Sequence, residues 1–147
     1  DCLLSRGLGD VYKRQLQEIS CRGKQVLLVE DNELNLEIAV ELLKYAGLNI
    51  TTAKNGLEGL DKFKAAPPGT YALILMDIQM PVMNGLEAAK AIRALPVKDA
   101  QTVPIVAMTA NAFPEDIAAT LQAGMNEHLS KPIDLEQFHS ILQKWCQ

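Results

Sequence analysis

The chain has 147 residues, 48% apolar and 22% charged, with a formal charge of −4. That length supports one domain with a proper core but not comfortably two. The acidic balance, without a Lys/Arg cluster, argues against nucleic acid or an anionic membrane surface as partner, and no apolar run approaches the roughly 20 residues of a bilayer span.

Residues 1–23 read as a tail, a linker remnant or foreign sequence, interrupted by Gly7, Gly9 and Gly23 and without a sustained period. Residues 24–147 read as one domain. Gln25-Val26-Leu27-Leu28-Val29 predicts a first strand, which runs into Glu30-Asp31-Asn32-Glu33. Asn32 suits an N-cap, and a helix over 33–46 follows, stopped by Gly47. The stretch 48–53 predicts strand two, and Asn55-Gly56 opens a second helix that Pro67-Pro68-Gly69 ends.

Leu73-Ile74-Leu75-Met76 is a continuous apolar run ending in Asp77, the pattern of a strand buried on both faces. A third helix is predicted over 85–95, with Pro96 and Lys98-Asp99-Ala100-Gln101 as its exit loop. Strand four is predicted over 104–108 and is followed by Thr109-Ala110-Asn111-Ala112. Pro114 suits the first turn of a fourth helix, closed by Gly124. Strand five spans 125–129, Ser130-Lys131-Pro132 is a loop, and Asp134 caps a last amphipathic helix. Five βα units with short connections predict a doubly wound, five-stranded parallel α/β sheet of flavodoxin-like order 2-1-3-4-5, with helices on both faces.

Cys2, Cys21 and Cys146 lie near the chain ends with neither metal-ligand spacing nor a disulfide framework, which suits a reducing, cytoplasmic compartment.

In that strand order the reactive residues gather on one rim. Glu30 and Asp31 follow strand one, Asp77 ends strand three, Thr109 follows strand four and Lys131 follows strand five. Strand two, whose end carries nothing reactive, falls outside that row. Each residue alone has a plainer reading as a cap, a turn hydroxyl or a solvated lysine. Together they make a phosphoryl-transfer site. Crowded carboxylates raise one another's pKa, and a hard cation such as Mg²⁺ relieves the conflict. Asp77 then serves as a carboxylate nucleophile, with Lys131 and Thr109 on the phosphoryl oxygens.

Val29-Glu30-Asp31-Asn32, the run from Met76 through Asp77 and Pro81 to Asn84-Gly85, Thr109-Ala110-Asn111-Ala112 and Ser130-Lys131-Pro132 resemble the response-regulator receiver domain of two-component signalling. The resemblance covers 24–147. It implies that Asp77 accepts a phosphoryl group from a phosphohistidine on a histidine kinase or histidine-phosphotransfer partner. It implies Mg²⁺ held by Asp31, Asp77 and the backbone carbonyl of Gln79, with Glu30 acting largely through water and Mn²⁺ able to substitute. It also implies a cis Lys131–Pro132 bond and an output surface built from the fourth helix, strand five and last helix. By the same resemblance, Gln79 and Asn111 would flank the path of hydrolytic water and tune the lifetime of the acyl phosphate. The domain itself would carry self-phosphorylation and self-dephosphorylation chemistry.

Where the family usually carries a switch Tyr or Phe, three residues before the lysine, this chain has His128. A simple aromatic rotamer switch therefore does not transfer, and a neutral, partly exposed histidine is the plainer reading. The motifs around Glu30 and Trp145 are similar to receivers of hybrid sensor kinases, so a terminal hybrid-kinase receiver is expected over a stand-alone one, with no C-terminal effector. Two rivals remain. A haloacid-dehalogenase-type phosphatase would need an acid where Gln79 stands, and a scaffold receiver would not need the complete acceptor set.

Overall fold

A computed structural model describes residues 14, 18, 21–110 and 113–146. Most of the expected tail lies outside the described residues, as does Asn111. Five strands pair in the order β2-β1-β3-β4-β5: β1 (Gln25–Val29), β2 (Asn49–Ala53), β3 (Tyr71–Asp77), β4 (Ile105–Thr109) and β5 (Glu127–Ser130). Every pairing is parallel. The helices are α1 (Glu33–Tyr45), α2 (Gly56–Ala65), α3 (Gly85–Arg93), α4 (Lys98–Thr102), α5 (Pro114–Gln122) and α6 (Leu135–Cys146). The expected doubly wound architecture is thus present.

The apolar runs of β1 and β3 supply two core layers at once, because successive side chains point to opposite faces. Val26, Leu28, Leu73 and Leu75 pack with Ala39, Leu42 and Leu43 of α1 and Phe138, Ile141 and Leu142 of α6. Leu27, Val29, Ile74 and Met76 pack on the other side with Phe63 of α2 and Ala88, Ala89 and Ile92 of α3. None of these strand residues exceeds 1% exposure, so the sheet is covered on both faces.

The stretch expected as the exit loop of α3 contains α4 instead. Five residues are too short to show a period, and this turn is held by burial of Ala100, whose carbonyl accepts a hydrogen bond from Arg93 Nη1 at 3.1 Å. Among the described residues, no helix is long and apolar enough to cross a membrane.

Helix starts follow local chemistry. Asn32 Oδ1 accepts from the Asn35 N–H at 3.0 Å, and Asn55 Oδ1 from the Glu58 N–H at 2.8 Å. Asn84 and Glu87 form a reciprocal capping box, with bonds of 2.9 and 3.0 Å. Asn84→Ala should cost about 1 kcal/mol, seen as a lower urea midpoint at unchanged slope; an unchanged midpoint would mean that α3 starts without help from its cap.

Candidate functional site

The carboxyl ends of β1, β3, β4 and β5 form one rim, where open α/β sheets place their ligands. Asp77, the last residue of β3, is 3% exposed, and Glu30, directly after β1, is 2% exposed. Asp31 beside it is exposed to solvent. One carboxylate oxygen from each of the three residues lies within 4.8 Å of the others. Lys131, just past β5, reaches into this group, with Nζ 2.8 Å from Asp77 Oδ1 and 3.0 Å from Glu30 Oε1. The other Glu30 oxygen accepts from the Asn32 N–H at 3.3 Å. A single lysine therefore bridges the ends of β1 and β3 from beyond β5.

These contacts set the titration of the site. Burial, followed by the hydrogen bond with Glu30, pushes the Asp77 carboxyl up to about 6, and Lys131 offsets only part of that rise. For Lys131, burial pulls the pKa down, but hydrogen bonds and charge interactions with Asp77 and Glu30 outweigh it and leave the ammonium above its usual value. At neutral pH the lysine is charged and Asp77 is mostly ionised.

A cleft of about 220 Å³ opens over these groups, with Asp31, Asp77, Gln79, Thr109 and Lys131 in its wall. Gln79 is exposed and Thr109 is half-buried at the end of β4. His128 lies outside that wall. It pairs with Ala107 across β4 and β5, while Ser130 pairs with Thr109. By the two-residue period His128 and Thr109 thus share one face of the sheet, with His128 half-buried beside the small Ala107. The Lys131–Pro132 peptide is cis.

Two glycines read from the sequence only as helix starts also fix the loop after Asp77. The Gly85 N–H donates to the Ile78 carbonyl at 2.8 Å, and the Gly56 N–H to the Met83 carbonyl at 2.9 Å. A Cβ at Gly85 would lie 2.2 Å from the Asp77 carbonyl oxygen, and one at Gly56 would lie 2.4 Å from the Met83 carbonyl oxygen. The N-termini of α2 and α3 therefore press directly on the backbone of the loop carrying Gln79 and Pro81. Within that loop Val82 has φ 67, uncommon for a β-branched residue.

The donor set fits a hard divalent cation. Three carboxylates converge, one of them on the solvent side, so oxygen ligands are available while water keeps access.

Residues 26–143 match the family described as response regulator receiver domain. Sensor protein GacS of Pseudomonas syringae pv. syringae is 37% identical over 128 residues, which cover 86% of this chain and 14% of that protein. The receiver domain of sensor histidine kinase PA1611 from Pseudomonas aeruginosa PAO1, solved with magnesium coordinated in its active site cleft, is 37% identical with a TM-score of 0.75. That likeness covers 84% of this chain and 98% of the other. A co-crystal structure of the Saccharomyces cerevisiae histidine phosphotransfer protein Ypd1 with the receiver domain of Ssk1 matches at 34% identity and a TM-score of 0.73, over 84% of this chain and 88% of that one. The chain spans from 4% to 17% of the length of the first curated relatives it matches.

Proposed function

The chain belongs to the response regulator receiver family and is a receiver domain of two-component phosphorelay signalling; from that premise we propose that Asp77 is its phosphoacceptor. The observation that carries this is the pairing of Lys131 with a buried Asp77 at 2.8 Å, inside a cluster of three carboxylates at the ends of β1 and β3.

An ionised Asp77 oxygen attacks the phosphorus of a partner's phosphohistidine. The P–N bond breaks, the imidazole leaves with its electron pair, and an acyl phosphate remains on Asp77. Lys131, released from Glu30, follows the charge onto a phosphoryl oxygen. Thr109 donates its hydroxyl to a second oxygen. Asp31, Asp77 and the Gln79 carbonyl would hold Mg²⁺, with Glu30 acting largely through water, and Mn²⁺ would fit the same donor set. When bound, the ion would supply charge neutralisation for the equatorial oxygens. Gln79 and Asn111 tune how long the acyl phosphate survives. His128, on the Thr109 face of the sheet, repacks when Thr109 moves, and the surface of α5, β5 and α6 carries the change to a partner.

The donor is a histidine kinase or a histidine-phosphotransfer domain, as the Ypd1 complex of a similar receiver supports. Relatives far longer than this chain, hybrid signal transduction histidine kinases among them, support its origin as one module of a hybrid histidine kinase, and we take the cytoplasm as its compartment. We take the receiver to occupy residues 24–147.

Incubation with Mg²⁺ and acetyl phosphate should give a base-labile mass increase that maps to Asp77, disappears in EDTA, returns with Mn²⁺ and is absent from Asp77→Asn. An unmodified wild type, or an equal adduct on Asp77→Asn, would overturn this assignment.

A further inference from the structure

Phosphoacceptor chemistry leaves a second reactive pair unused. Cys21 and Cys146, near opposite ends of the chain, are both fully buried and belong to the core layer between the sheet and helices α1 and α6. Each thiol is the largest influence on the other's titration, as expected of neighbours in that layer. The Cys21 thiol also faces the Leu142 carbonyl, one turn back along α6, at 3.9 Å.

The two backbones are held in place by one residue. The Lys24 N–H donates to the Cys21 carbonyl at 3.0 Å across a turn in which Gly23 has φ +84, and the Lys24 ammonium donates to the Cys146 carbonyl. The Gly23 N–H ties the same turn to the Gly47 carbonyl at 3.1 Å. Two cysteines packed as inert small apolar residues would not need to meet sulfur to sulfur. Here Lys24 ties both chain segments together, which keeps the two cysteines neighbours in the core.

We propose that Cys21 and Cys146 are a redox-active pair, which a disulfide oxidant such as oxidised glutathione converts to a reversible disulfide stapling the end of α6 to the segment that leads into β1. The Cys146 thiolate attacks one sulfur of glutathione disulfide; that S–S bond breaks and one glutathione leaves as thiolate, taking up the proton that Cys146 gave up. The Cys21 sulfur then attacks the Cys146 sulfur of the mixed disulfide. The second glutathione departs with the Cys21 proton. Two protein thiols are oxidised and one glutathione disulfide is reduced to two thiols.

The order of attack follows from the surroundings. The hydrogen bond with Cys21 holds the Cys146 thiol below its usual pKa, against burial and with help from Lys24. The same hydrogen bond, with burial, pushes the Cys21 thiol up. Cys146 is therefore the attacking sulfur and Cys21 the resolving one. Because both sulfurs are buried, the reaction waits on opening of the last turn of α6, and exchange is slow.

The test uses the full chain on a Cys2→Ser background, equilibrated natively in glutathione buffers from fully reduced to fully oxidised, then acid-quenched and alkylated. We expect a linked peptide joining Cys21 to Cys146, loss of both alkylation sites, and a rise in Tm on the order of 10 °C that dithiothreitol reverses. Fluorescence of Trp145, the single tryptophan of the chain and the neighbour of Cys146, should fall in step with the Tm rise. Cys146→Ala and Cys21→Ser should each remove all of these changes. Thiols that stay open to alkylation under fully oxidising conditions would overturn the proposal, as would glutathione adducts without the linked peptide.

Discussion

Lys131→Met is expected to cost the metal-free domain about 3–5 kcal/mol at pH 8, the usual result of removing one partner from a buried ionic group. Lys131 is the cation 2.8 Å from Asp77 and 3.0 Å from Glu30, and both carboxylates are almost wholly buried. Methionine keeps the length of the stem and leaves two negative charges facing each other. The pH dependence follows from the direction of the Asp77 shift. Its folded pKa is about 6, above its ordinary 3.8, even with the lysine present; without the cation it moves higher still. A group raised on folding favours the native state below its unfolded pKa and loses that advantage as pH rises through the folded value. The deficit of Lys131→Met should therefore be small at pH 5 and full at pH 8, and saturating Mg²⁺ should recover most of it at pH 8. Urea unfolding of wild type and variant under those conditions is the measurement. An equal deficit at both pH values with no rescue by Mg²⁺ would reduce Lys131 to a packing residue.

Gly85→Ala should be nearly as damaging for a different reason. The added Cβ would meet the Asp77 carbonyl oxygen at 2.2 Å and the Ile78 Cα at 3.0 Å, and both are backbone atoms that cannot swing aside. Either α3 withdraws or the end of β3 shifts, at about 3 kcal/mol. A shift at that point also moves Asp77 relative to Lys131, and misplacement by an ångström costs roughly 100-fold in rate. Phosphorylation by acetyl phosphate should fall to that extent even where the variant stays folded. Gly69→Ala is the control. Its Cβ meets nothing within 4 Å, although φ is +81, so the cost is the left-handed backbone term of about 1 kcal/mol, with phosphorylation intact. Equal rates for Gly85→Ala and wild type would show that the contact is slack.

Much of the site was legible because chain order and strand order make it so. The apolar runs Val26–Val29 and Leu73–Met76 read as strands, and in the strand order 2-1-3-4-5 the residues at their ends fall on one rim. What chain order could not show was packing between segments distant in sequence. Gly85 reads as a helix start next to Asn84; that it also sits against the Asp77 carbonyl depends on how α3 returns to the sheet. α4 escaped notice because Lys98–Thr102 contains a single apolar contact, Ala100, too little for a period. Cys21 and Cys146 looked unrelated since their contact depends on α6 closing over the edge of the core, next to the turn before β1. The double pairing of Lys131 was also invisible, because spacing predicts a place on the rim but not which carboxylates a long side chain will choose.

The order in which the charged groups occur along the chain has a consequence for synthesis. Glu30 and Asp31 directly follow β1 and Asp77 ends β3, two strands that pair directly, and all three carboxylates precede β4 and β5 in the chain. Lys131 comes only after β5, the last strand of the sheet. Domains emerge from the ribosome N-terminus first. The carboxylate cluster can therefore assemble while its lysine is still unmade, and during that interval a cation from solvent can stand where the ammonium will later sit. A divalent ion would then be the first counter-ion the site meets, and the ammonium the second.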